Sequence, residues 1–90
     1  MDTMRHEWDV RLFFDEDGRH TECEARLVGE RAPGVTARGA STCSDTDRPE
    51  ARIGEELAAA RALSALARKV FSQASGDIED EVRRPIHLMY

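Results

Sequence analysis

The chain has 90 residues, of which 40% are apolar and 34% charged, and a formal net charge of −5. That length makes one domain with a single thin core, burying roughly 60% of the surface its unfolded chain would expose. The acidic balance excludes non-specific binding to nucleic acid or to an anionic membrane as an expectation, because both need a cationic surface.

The charge is unevenly placed. Residues 1–47 hold 11 acidic and 6 basic side chains, whereas residues 48–90 hold 7 of each. A phosphate-facing surface would therefore belong to the second half. There is no apolar leader and no long apolar run, so the sequence predicts a cytoplasmic protein that neither crosses nor enters a membrane. Two cysteines, Cys23 and Cys43, are expected to be reduced, inert thiols in that compartment.

Residues 1–6 are polar and expected to fray. From Glu7 to Asp15 the pattern alternates, with Trp8, Val10, Leu12 and Phe14 on one side and Asp9, Arg11 and Phe13 on the other. That is a half-buried strand. Asp15 to Arg19 supplies a turn, with Gly18 free to take positive φ.

A second strand runs from His20 to about Val28. Thr21, Cys23, Ala25 and Leu27 share its inner face, and His20, Glu22, Glu24, Arg26 and Val28 its outer face. Gly29 to Gly34, with Pro33, forms a loop. A third strand spans Val35 to about Cys43, with the small residues Val35, Ala37, Gly39, Ser41 and Cys43 inward. Small inward residues let a helix lie close, and the short links favour an antiparallel meander.

Ser44 to Arg48 forms a polar loop. Pro49 suits the first turn of a helix, and Glu50, Glu55 and Glu56 suit its positive end. The spacing predicts a helix from about Pro49 to Ala74. Ile53, Leu57, Ala60, Ser64, Ala67 and Phe71 form its apolar stripe, which Leu63, Leu66 and Val70 widen on one flank. Ser75 and Gly76 are expected to break the helix, and Asp77 to Arg84 to form a short second one ended by Pro85. The tail Ile86, His87, Leu88, Met89 and Tyr90 is unusually apolar for a chain end.

No residue pattern forms a catalytic, metal or nucleotide signature. His20 and Cys23 have a suggestive spacing, but residues three apart on a strand point to opposite faces. Burial on the inner face would silence both thiols. Gly29, Gly34 and Gly39 form no glycine-rich loop ahead of a helix. No enzyme activity, metal or cofactor is expected. Glu56 falls inside the apolar arc, above Leu63, and is a candidate structural carboxylate, set against the plainer reading of a first-turn acid reaching solvent. Arg61, Arg68, Lys69, Arg83 and Arg84 are the candidate phosphate-facing or RNA-facing set, set against a solvated helix face.

Several stretches resemble a known family. They are Trp8-Asp9-Val10, Ala25-Arg26-Leu27, Gly34-Val35, Ile53-Gly54-Glu55-Glu56-Leu57, Ala60-Arg61-Ala62-Leu63-Ser64 with Leu66, Asp77-Ile78-Glu79, and Leu88-Met89-Tyr90. Together they are similar to a small actinobacterial family of unknown function with a double-stranded-RNA-binding-domain-like fold, which includes mycobacterial proteins linked to dormancy and hypoxia. The resemblance implies one α+β domain over residues 1–90, with a three-stranded antiparallel sheet backed by helices. It also implies a homodimer and no catalytic residues. The family has been likened to ribosome hibernation factors, which implies a stress-associated regulator with ribosomal RNA as partner. The alternative is a dimeric protein-interaction module with no RNA role. The sheet's outer face mixes Glu22, Glu24, Arg26 and Arg38 without an aromatic stacking pair, which RNA recognition by a sheet would favour.

The residues themselves also point to a dimer. Leu63, Leu66 and Val70 exceed what one small sheet needs. Phe13 and Val28 add apolar area to its outer face. Ile86, Leu88, Met89 and Tyr90 would lie in water without cover. All nine are candidate interface residues.

Overall fold

The computed structural model describes residues 3–43 and 51–82. Three strands, β1 (Trp8–Asp17), β2 (His20–Gly29) and β3 (Thr36–Thr42), precede one helix, α1 (Ala51–Val82). The strands form an antiparallel meander in the order β1-β2-β3. The α+β architecture follows the period change in the sequence, from two along the strands to about 3.6 along the helix.

β1 runs two residues further than its alternation indicates. Asp15 pairs with Glu22, Glu16 with Thr21 and Asp17 with His20, so the turn contracts to Gly18 and Arg19. Gly18 has φ +60°, as a two-residue hairpin turn with glycine at its first central position requires. The second loop closes with a hydrogen bond from Ala32 N to Gly29 O at 3.1 Å. Arg31 sits there at φ 67°.

α1 is a single helix of 32 residues. Ser75 and Gly76 do not break it, and Asp77 onward continues it instead of starting a second helix. One glycine costs a helix interior only about 1 kcal/mol. The side-chain amide of Gln73 donates to Asp77 Oδ1 at 3.0 Å, bridging that turn. Arg83, Arg84 and the tail from Ile86 to Tyr90 lie outside the described residues, as do Ser44 to Glu50.

The helix packs on β3 and β2, but not through the stripe its large apolar residues define. Gly54, Ala58, Ala62 and Leu66 are buried. Ile53 and Leu57 are 50% and 45% exposed, and Ala60, Ser64 and Ala67 are exposed as well. At about 100° per residue the buried row lies on nearly the opposite side of the helix from the expected stripe. The reason is the sheet. Cys23, Ala25, Ala37 and Gly39 offer a shallow floor, and only small residues let the helix backbone reach it. A Cβ on Gly39 would lie 2.3 Å from Ala62 N and 2.7 Å from Ala58 O.

Among the described residues the buried apolar side chains are Cys23, Ala25, Ala37, Ala58, Ala62 and Leu66. Four of these six are alanines, each worth on the order of one methyl group, about 0.8 kcal/mol. Thr21 and Ser41 are buried beside them. The Ser41 hydroxyl donates to Gly54 O at 2.7 Å.

Candidate interaction surface

An α-helix with its side chains is about 10 Å across, and strands lie about 4.8 Å apart. One helix therefore covers two strands, and α1 covers β3 and β2. The third strand, β1, is left with its helix-side face open. Trp8, Val10 and Phe14 share the face of Ala25 and Cys23 by register, yet they are 39–49% exposed. Only Leu12 on that face is drawn against the core. Strand alternation identified these residues as inward. Their exposure follows from the ratio of one helix to three strands, which the sequence also contains.

The expected interface set divides between several places. Leu66 belongs to the core. Leu63, two turns from Leu66's neighbour Val70, is exposed, while Val70 is half-buried. Val70 and Ala74 share a shallow depression with Trp8, Arg31 and Pro33, so this flank of α1 faces the uncovered strand. Phe13 and Val28 lie exposed on the opposite face of the sheet. There the Arg26 guanidinium stacks over the Phe13 ring at 4.6 Å. Ile86, Leu88, Met89 and Tyr90 lie outside the described residues.

The outer face of the sheet carries an ion cluster. Arg26 pairs with Glu24, and Arg38 approaches it at 3.5 Å. The hydrogen bond from Arg26, followed by the charges of both arginines, holds the Glu24 carboxyl below its usual range. His20 Nδ1 lies 2.9 Å from Thr42 Oγ1, and its Nε2 lies 3.4 Å from Glu22. His20 is exposed and Cys23 buried, on opposite faces.

The basic side chains of α1 are used differently from one another. Arg61 donates to Ala40 O at 2.7 Å, and Lys69 donates to Thr36 O. Both carbonyls lie on the free edge of β3, so these two cations seal an edge strand. Arg68 is exposed. Glu56 is not a buried anchor: its carboxylate is 69% exposed and meets Arg52, one turn earlier, at 3.8 Å. Such surface pairs contribute little. Burial raises the Cys23 thiol. Cys43 follows β3 and is half-buried, and both thiols are free.

Among the described residues no three His, Cys, Asp or Glu side chains converge as a metal site would require. No helix among them is long and apolar enough to cross a membrane. The most developed surface is therefore the open apolar face of β1 with the adjoining flank of α1.

Comparison with known proteins agrees with this architecture. The crystal structure of Rv2632c superposes with a TM-score of 0.81 at 32% identity, covering 94% of this chain and all of that one. The uncharacterized protein Rv2632c of Mycobacterium tuberculosis is 38% identical over 79 residues, 86% of this chain and 82% of the relative. The uncharacterized protein Mb1767 of Mycobacterium bovis is 33% identical over 89 residues, 99% of this chain and 94% of the relative. The model of the Rv2632c-like family matches residues 6–87, and the chain belongs to that family.

Proposed function

We propose that this chain is a non-enzymatic, homodimeric interaction module. One observation supports the reading above others: the large apolar side chains stand outside while the core is built of alanines. Trp8, Val10, Phe14, Ile53, Leu57 and Leu63 are all exposed. Each is worth roughly 1.5–3 kcal/mol when fully buried, more than any alanine in the core. A 90-residue fold with so slight a core gains most by covering them with a second subunit. The test is mass in solution by sedimentation, for the full chain and for a chain lacking Ile86 to Tyr90. Dimerisation of both as tightly as each other would remove the tail from the interface and leave the dimer standing. A monomeric full chain at micromolar concentration would remove both.

A stress- or dormancy-associated role at the ribosome is the second reading. It draws on Arg61 and Arg68, seven residues apart on one flank of α1 and both exposed. Arg61 and Lys69 already hold β3 carbonyls, which leaves Arg68 as the charge to test. Co-sedimentation with ribosomes should fall steeply with salt if phosphate contacts carry it. Arg68→Ala should weaken it without altering the fold. Absence of co-sedimentation at low salt would discard this reading.

A further inference from the structure

We propose that two copies of the chain pair through the outer face of α1, helix parallel to helix, with Glu56 of each copy against Arg61 of the other. The result is a four-layer sandwich of sheet, helix, helix and sheet. The inference rests on the homodimer reading above and names its surface.

The outer face of α1 carries a coiled-coil repeat. Ile53, Leu57, Ala60, Ser64, Ala67 and Phe71 follow one another at alternating intervals of four and three residues, and Ala74 and Ile78 continue the alternation. A period of 3.5 is the spacing of a seam that faces a second helix. The sheet does not use this seam. It takes the row Gly54, Ala58, Ala62 and Leu66 on the other side of α1. Ile53 and Leu57 are 50% and 45% exposed. Ala60, Ser64, Ala67 and Ala74 are exposed as well, and Phe71 and Ile78 are half-buried. Ala60, Ser64 and Ala67 at the centre are small enough for two helices to approach closely. Ile53 and Leu57 close the seam at one end, Phe71 and Ile78 at the other.

The residues flanking the seam select a second copy and its direction. With Leu57, Ser64, Phe71 and Ile78 at heptad position a, and Ile53, Ala60, Ala67 and Ala74 at d, position g holds Glu56, Leu63, Val70 and Asp77. Position e holds Gly54, Arg61, Arg68, Ser75 and Val82. In a parallel, in-register pair each g residue meets the e residue five places on in the other helix. The meetings are Glu56 with Arg61, Leu63 with Arg68, Val70 with Ser75, and Asp77 with Val82. One pair is of opposite charge, two-fold symmetry makes it twice, and no like charges meet. In an antiparallel pair e meets e and g meets g. Full overlap then sets Arg61 against Arg68 and Glu56 against Asp77, each twice. A shift of one heptad either way sets Arg61 or Arg68 against its own counterpart, and longer shifts leave only four seam residues of each helix in contact. Both partners of the favoured pair are available. The Glu56 carboxylate is 69% exposed and meets Arg52 at only 3.8 Å, and the Arg61 bond to Ala40 O uses one of five guanidinium N–H donors. The two-fold axis runs along the seam, so the interface is closed and the two sheets lie on the outside. It covers Ile53, Leu57 and Leu63, the helix members of the exposed apolar set.

Sedimentation of three full-length variants tests the pairing. Ala60 is exposed in the subunit, and glutamate is a good helix former, so Ala60→Glu should fold. Across the seam it sets two carboxylates together and should abolish dimerisation at micromolar concentration. Glu56→Arg and Arg61→Glu each put like charges together twice. Each alone should weaken dimerisation by about tenfold, and an equimolar mixture should restore it as a heterodimer in which both pairs are again opposite. If the parent is a dimer and Ala60→Glu dimerises as tightly, the α1 seam is wrong while the dimer stands. A Glu56→Arg dimer as tight as the parent or tighter overturns the parallel pairing, since in the fully overlapped antiparallel pair that change would relieve Asp77. Weakening that the mixture does not rescue overturns it as well. A monomeric parent overturns the pairing and the homodimer together.

Discussion

Gly39 of β3 lies against the backbone of Ala62 so closely that a Cβ on Gly39 would stand 2.3 Å from the Ala62 nitrogen. This approach sets the distance between helix and sheet. Neither backbone can yield cheaply, so Gly39→Ala should destabilise the fold by about 1–3 kcal/mol or more, the cost of an overpacked core. Urea denaturation should show a lower midpoint with little change in slope. An unchanged midpoint would mean that the helix does not sit on Gly39.

The Ser41 hydroxyl, buried beneath the first turns of α1, donates to Gly54 O at 2.7 Å. Ser41→Ala removes that bond and keeps the volume nearly constant. A loss of about 1 kcal/mol is expected in the same denaturation experiment. Ser41→Val should be worse, because it loses the same bond and adds a second branch to a side chain that is only 6% exposed.

The strands and the turn at Gly18 are legible in the sequence because alternation with a period of two carries its own direction. The helix is legible as a helix, but its inner face is not. A hydrophobicity-weighted reading points toward Ile53, Leu57 and Phe71, because large residues dominate it. The sheet floor of Ala25, Ala37 and Gly39 selects by size, and chooses Gly54, Ala58 and Ala62. Small residues on both sides were the available signal, and the alanine-rich centre of the helix carried it. Ser75-Gly76 reads as a break from propensity alone, yet the surrounding turns hold it helical. The exposed face of β1 follows from helix width against strand spacing, not from any single residue.

The two cysteines should react at different rates. Burial raises the Cys23 thiol, which lowers its thiolate fraction and blocks access. Cys43 is only half-buried. Titration of the native protein with a disulfide reagent should modify Cys43 first and Cys23 only on unfolding. Equal rates in the native state would contradict the placement of Cys23 beneath α1.

Glu24 gives a pH dependence of defined sign. Arg26 and Arg38 hold its folded pKa below the ordinary value of 4.5. The stabilisation is therefore present above that value and lost as pH falls through the folded pKa. Glu24→Gln should be less stable than the parent at neutral pH. The difference should close in acid, as followed by thermal unfolding across pH. A gap that stays constant down to strongly acidic pH would show that the carboxylate charge is not responsible.

Sedimentation equilibrium of the full-length chain at micromolar concentration bears most directly on the claim that this fold is completed by a second copy. The account predicts a mass of twice 10.1 kDa. A stably folded species at the monomer mass would contradict it.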